Sequence, residues 1–244
     1  MQPSSRAAAL AADSLTQTFD LDEKPLRELN AALHQLSPET NRTSWRVVNP
    51  QGRHAIAAGV DAPVSIEIDG HVGYYCAGMN KQARILVRGN AGVGLAENMM
   101  SGEVRVLGDA SQSAGATGQG GLLVIEGDAS ARCGISMKGI DIVVKGSIGP
   151  MSAFMAQAGT LVVLGDAGEA LGDSIYEARL FVRGAVKSLG ADCEEKPVAP
   201  EDRDVLHGVL WKAGLIEEVS LDDFRLYGSA RRLYNFHVDN IDAY

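Results

Sequence analysis

The sequence predicts an all-β solenoid, a stack of parallel strand-and-turn rungs. Three observations predict it. Glycine recurs every 19 residues, at Gly70, Gly89, Gly108, Gly127, Gly146, Gly165 and Gly184, seven times without a slip. Apolar columns keep step with it: Ile66, Ile85, Val104, Leu123, Ile142, Leu161 and Leu180 stand four residues before each glycine, and Ile68, Val87, Val106, Ile125, Val144, Val163 and Val182 two before. Composition agrees, with 28 glycines in 244 residues and only 5% aromatics. Such a core relies on close backbone stacking rather than on large side chains.

Period-2 alternation before each glycine reads as a short strand. A third apolar column, Val72, Ala91, Ala110, Ala129, Ile148, Ala167 and Val186, follows two residues after it. Helical repeats are longer and keep a helix period, and the asparagine ladder of leucine-rich repeats is missing. Rungs then stack about 4.8 Å apart, with like residues in ladders. The glycine column is read as supplying backbone freedom at a tight corner. Small residues at Ala96, Gly115, Gly134, Ala153, Gly172 and Ala191 let facing walls approach.

Outward columns carry further expectations. Asp69 should neighbour Arg88, and Glu126 should neighbour Lys145, on adjacent rungs. Val124, Val143, Val162 and Phe181 form an apolar stripe that points outward and must be covered, either by this chain's own terminal helix or by another subunit.

The flanks read as caps for the open ends. Residues 1–18 are read as a disordered extension, 19–44 as an N-terminal helical cap, 45–198 as the solenoid, and 199–244 as a C-terminal helical cap and tail. Within the first cap, 22–36 reads as a helix with Asp22 as its cap and Leu26, Leu29, Leu33 and Leu36 on one face. "EEKPVAPED" reads as a linker, 201–213 as a second helix ended by Gly214, and Ser220 with Asp223 as the start of a third that reaches Tyr227.

Charge and composition exclude several classes. The net charge is −9 with no basic stripe, which argues against nucleic acid. No apolar run approaches the roughly 18 residues of a membrane span. Three cysteines and no secretory signal point to a reducing cytoplasm. "GDASQSAGATGQGG" (108–121) looks like a phosphate cradle, yet it lacks the lysine and the following helix that a P-loop needs. Cys76 and Cys133 share a column three rungs apart, too far for a disulfide, and read as small buried apolar residues. The five histidines are scattered, no zinc spacing occurs, and no catalytic motif emerges. Lyases of this shape need clustered Asp, Lys and Arg on one face, and a 19-residue repeat does not divide into the six-residue period of hexapeptide acyltransferases.

Large residues stand out in the glycine-rich returns. "GYYCAGMN" contributes Tyr74, Tyr75, Met79 and Asn80, and "AENMMSG" contributes Glu97, Asn98, Met99 and Met100. Met137 and Met155 fall in the same part of the repeat. The methionines form either a packed ladder or an adaptable partner surface. With Val143, Val162 and Phe181 of the stripe, and Arg231, Arg232, Tyr234 and Phe236 of the tail, they make up the candidate partner interface.

The repeat with its "GDA" corners resembles the GXGXG β-helix domain at the C-terminus of the glutamate synthase large subunit. "PLRELNAALH", "GYYCAGMN", "AENMMSG", "GDASARCGISMKGIDIVVKGSIG", "GDSIYEARLFVRGAVKSLGADC" and "YGSARRLYNF" extend the likeness from about Phe19 to Tyr244. Over that span it is similar to the stand-alone GXGXG-type component of N-methylglutamate synthase. The resemblance implies a right-handed, single-stranded β-helix and a structural role. It implies an amidotransferase-like partner subunit and an FMN-binding, glutamate-synthase-like one, with the FMN, the iron–sulfur cluster and the catalytic cysteine on those partners. No cofactor, metal or catalytic residue is expected in this chain. The complex would form N-methylglutamate and ammonia from methylamine and glutamate, with this chain holding its partners and walling a path for ammonia or methylamine. A β-helix subunit of a formylmethanofuran dehydrogenase or formyltransferase/hydrolase complex, or of a true glutamate synthase, is the alternative.

Overall fold

A computed structural model describes residues 16–40 and 44–230. Its strands are Gln17–Asp20 (β1), Ser44–Val48 (β2), Ser65–Asp69 (β3), Arg84–Val87 (β4), Glu103–Val106 (β5), Leu122–Ile125 (β6), Lys138–Val144 (β7), Ala158–Val163 (β8), Arg179–Val182 (β9), Cys193–Lys196 (β10) and Arg225–Ser229 (β11). Two helices, Leu26–His34 (α1) and Pro200–Ala213 (α2), accompany them. Strands β1 to β9 lie side by side in chain order and parallel, and the sheet ends with antiparallel β11 and β10. From β3 to β9 each step shifts the register by 19, so Ile66 lies beside Ile85, then Val104, Leu123, Ile142, Leu161 and Leu180. All seven are buried. The predicted β-solenoid is the fold that forms. Its first rung is longer, with Trp45 paired to Ile66.

Every rung repeats one path. After the strand comes the corner glycine, then a residue that bridges to its neighbours, in the series Val72, Ala91, Ala110, Ala129, Ile148, Ala167 and Val186. A turn segment follows, and its backbone is unusual. From Gly70 to Gly165, residues five, seven and nine after the glycine all have left-handed φ, as in Tyr75, Ala77 and Met79 at 60°, 57° and 55°, and Arg132, Gly134 and Ser136 at 60°, 68° and 52°. The first and third donate forward, as in Arg132 N–H to Pro150 O (2.9 Å) and Ser136 N–H to Phe154 O (2.8 Å). The middle one donates backward, as in Gly134 N–H to Ala114 O (2.8 Å). Each rung is thereby hydrogen-bonded to both neighbours outside its strand.

The corner glycines are there for another reason than the one expected. Of the seven, Gly70 alone has a φ in the left-handed region, at 139°. What the corner requires is space. A Cβ on Gly127 would lie 2.2 Å from Asp109 Oδ1, one on Gly146 would lie 2.1 Å from Asp128 Oδ1, and one on Gly89 would lie 2.6 Å from the carbonyl carbon of Gly70. The carboxylates are close because they bond across rungs. Asp128 N–H donates to Asp109 Oδ1 (2.9 Å), Ser147 N–H to Asp128 Oδ1 (2.7 Å), Asp166 N–H to Ser147 Oγ (3.0 Å), and Ala185 N–H to Asp166 Oδ1 (2.7 Å). His71 and Asn90 begin the same ladder, with Asn90 N–H on His71 Nδ1 (2.9 Å) and Asp109 N–H on Asn90 Oδ1 (3.0 Å).

The ends depart from expectation in places. Strand β1 begins at Gln17, within the segment read as an extension, and pairs with β2. The first helix is shorter than 22–36, and Asp22 does not cap it; its carboxylate accepts from Gln51 Nε2 (3.0 Å). Helix α1 lies against the first rung, where Leu29 and Leu33 are buried and Asn30 bonds to Ala55 O (2.8 Å) and Ala57 N–H (3.1 Å). The segment read as a linker overlaps β10 from Glu194 to Lys196 and runs into the start of α2 at Pro200. Helix α2 does end at Gly214, which is left-handed at φ 76°. The third helix is only a 3-10 turn, Leu221–Asp223, with Ser220 Oγ accepting from Asp222 N–H. The chain then extends into β11 because that strand closes the last edge, on β9.

A corner glycine should therefore tolerate no side chain, while a helix glycine with free space should. Gly127→Ala is expected to cost about 2 kcal/mol or more through overpacking. Gly208→Ala, whose Cβ meets nothing within 4 Å in α2, should gain about 0.5–1 kcal/mol. Urea unfolding of the two variants checks both signs.

Candidate functional site

The molecule presents three long outer faces of different chemistry. The strand face carries the side chains that alternate outward from β3 to β9. In its first half most of these are charged and interlocked: Arg88 pairs with Glu67 (2.5 Å) and lies 3.8 Å from Asp69, and Arg46 pairs with Asp69 (2.6 Å). The expected Glu126–Lys145 pair forms at 3.2 Å, and Lys145 also reaches Glu218 at 3.1 Å. The Glu218 hydrogen bond, foremost, raises the Lys145 pKa, so this ammonium stays charged.

The second half of the strand face is taken by the chain itself. Val124, Val143, Val162 and Phe181 are buried against Leu206, Val209, Leu210 and Ala213 of α2, with Phe224 and Leu226 beside them. Val143, Val162 and Phe181 therefore leave the candidate partner interface: the chain's own helix covers the stripe. Polar contacts pin that helix. Arg105 donates to Ala213 O (2.7 Å) at the α2 C-terminus, where a cation is favoured, and also binds Glu126. Lys212 pairs with Asp141 (3.1 Å), and Arg179 with Asp202 (2.8 Å).

The corner face holds the His71–Asp166 ladder, which sequence reasoning missed. Its signal was the polar column directly after each glycine. The turn face holds the other predicted residues. Tyr74, Met79, Met100 and Met155 are exposed on it, Tyr74 by 53% and Met155 by 45%, and Tyr75, Glu97 and Asn98 are half-buried. Asn80, Met99 and Met137 point the other way and are fully buried. Asn80 is structural, with its amide donating to Ala83 O (2.9 Å) and Ser101 O (3.2 Å) and accepting from Ala83 N–H (3.2 Å). Val93 and Tyr176 are exposed members of the turn face that the sequence did not single out. Arg231, Arg232, Tyr234 and Phe236 lie outside the described residues.

A cleft of about 320 Å³ beside α2 is lined by Gly102, Gly121, Leu122, Gly139, Asp141 and Lys212, whose two charged groups neutralise each other. No cluster of three or more His, Cys, Asp or Glu side chains that could hold a metal ion occurs among the described residues. No described helix is long and apolar enough to cross a membrane.

No protein-family model matches the chain. Protein GlxC of Rhizobium meliloti (strain 1021) is 63% identical to it over 226 residues, which cover 93% of this chain and 99% of that protein. The chain belongs to the GlxC family. In this GlxC-family chain burial disfavours the thiolate form of the cysteines. Burial pushes the Cys76 and Cys133 thiols up to about 12, and burial, aided by Glu194, pushes Cys193 up to about 11.

Two measurements test this description of the GlxC-family chain. A thiol reagent at pH 8 should leave Cys76 and Cys133 unmodified in the folded chain and label both in urea, read by mass spectrometry. Phe181→Ala should cost about 3–5 kcal/mol in urea unfolding of the isolated chain. A neutral Phe181→Ala would return the stripe to a partner.

Proposed function

We propose that this chain is the non-catalytic β-helix subunit of a glutamate-synthase-like enzyme of the N-methylglutamate synthase type. In that reading it holds an amidotransferase-like subunit and an FMN-binding subunit in register, in the cytoplasm. The FMN, the iron–sulfur cluster and the catalytic cysteine belong to those partners, and the complex converts methylamine and glutamate to N-methylglutamate and ammonia.

The observation that carries the reading is the division of the surface. One half of the strand face is occupied by α2, the interior is filled by buried columns, and no described residues assemble a nucleophile, a base or a metal site. Exposed tyrosine and methionine nevertheless remain on a rigid face. A protein built this way offers binding surface rather than chemistry. The near full-length likeness to GlxC and the resemblance of the repeat to the glutamate synthase β-helix support the same reading. Because side chains fill the interior, any route for ammonia or methylamine that this subunit walls runs along its outer faces.

Reconstitution tests the proposal. The three purified subunits together should form N-methylglutamate from methylamine and glutamate, the chain alone should be inactive, and omitting it should abolish or strongly reduce turnover. Turnover by the chain alone, or full activity of the other two without it, would sink the reading.

A further inference from the structure

The exposed apolar side chains are not scattered. Of the nine large ones among the described residues, six lie on the turn face: Tyr74, Met79, Val93, Met100, Met155 and Tyr176. Across the first five turn segments, charge without an ion pair is sparse and placed in two spots. Glu97 on the second turn segment, and exposed Arg132 and Lys138 on the fourth, form no ion pair among the described residues, whereas Lys81 is paired to Asp61 at 2.8 Å.

We propose that the turn face is the contact between two copies of this chain, docked about a two-fold axis at the third turn segment (112–119). A two-fold axis lying across the face reverses the stack and keeps each column in place. The first segment (74–81) then meets the fifth (150–157), and the second (93–100) meets the fourth (131–138). Apolar residues meet under that operation: Tyr74 faces Pro150, Tyr75 faces Met151, Met79 faces Met155, and Phe154 meets the Tyr75 ring that lies over Gly78.

The charges match as well. A Cβ on Gly94 would lie 2.7 Å from Glu97 Oε2, so this carboxylate stands over the column that Arg132 occupies two rungs later. In the docked pair, Glu97 of each copy meets Arg132 of the other, and symmetry makes the contact twice. The segment on the axis carries Gln112, Ser113, Thr117 and Gln119, so no like charges meet there. A lipid surface fits this face poorly, since the chain is net −9 and the two cations sit at the middle of the face rather than around its rim. The inference does not depend on the proposed function; in a paired scaffold the partner subunits would bind the faces that this contact leaves open.

Sedimentation velocity of the purified full chain over roughly 1–300 µM tests it, a range suited to a contact at the small end of stable interfaces. A dimer is expected, and Glu97→Arg and Arg132→Glu should each weaken it at least about 10-fold. The double swap, Glu97→Arg with Arg132→Glu, should restore it to within about threefold of the native chain. A monomer across the whole range, a dimer indifferent to the single swaps, or a failed rescue between folded variants would overturn the proposal. Thermal melts establish folding. If a swap variant does not fold, Tyr74→Glu, at an exposed position of ordinary φ, decides instead: a monomer supports the contact and a native-like dimer overturns it.

Discussion

The fold depends on hydrogen bonds that pass from each rung to both neighbours through the turn segments. A residue held left-handed costs roughly 1–2 kcal/mol when it carries a Cβ. Tyr75, Ala77, Met79, Ala96 and Asn98 all carry one on just two successive rungs. A net hydrogen bond contributes about 1 kcal/mol, so the bonds of these residues only about balance that strain. The surplus comes from burying the apolar columns, and burial exists only when rungs are stacked. A lone rung would therefore not keep this backbone, and the chain folds as an array whose members stabilise one another. The strain is tolerated because neighbours on both sides determine the conformation.

The same stacking explains the residue choices at the corner. With rungs at strand spacing, the side chain after each glycine reaches the backbone N–H of the next rung, in the ladder Asn90, Asp109, Asp128, Ser147 and Asp166. That reach crosses the place where the next corner residue would put its Cβ, so the corner must be glycine. Glycine and the polar residue beside it are one device. Asp, Asn and Ser all work because each offers an acceptor oxygen on a short stem, and His71 serves through a ring nitrogen.

The period, the strands and their register were legible because each is a column that the sequence repeats many times. What was not legible depended on a single position or on a distant segment. Met99 and Met137 follow their corner glycine by ten residues and are buried, whereas Met79 and Met155 follow by nine and are exposed. One position moves a side chain across the wall, and a search for methionines in one region could not separate the two sets. The cover over Val143, Val162 and Phe181 comes from α2, which begins only at Pro200 beyond the last rung, and an apolar stripe looks the same in sequence whether its own chain or another protein covers it. The extended β10 hid for a different reason. "CEEK" has no apolar alternation, because it is an edge strand whose charges keep the end of the sheet from pairing further.

Function in such a molecule has to be argued from its outside. Columns of buried Ile, Val, Leu and Ala fill the interior, and the corner ladder commits its acceptors to backbone N–H groups. The strand face spends its first half on internal ion pairs and its second half on α2, itself held by Arg105, Lys212 and Arg179. The turn face differs in kind. Its backbone is as constrained as any in the protein, so its tyrosines and methionines are carried on a fixed frame, and binding them orders little that was mobile before. Methionine adds side-chain adaptability on top of that frame. A rigid backbone under flexible apolar side chains is what a contact surface needs, and the residues that make the turn face so rigid are the same left-handed ones that hold the rungs together.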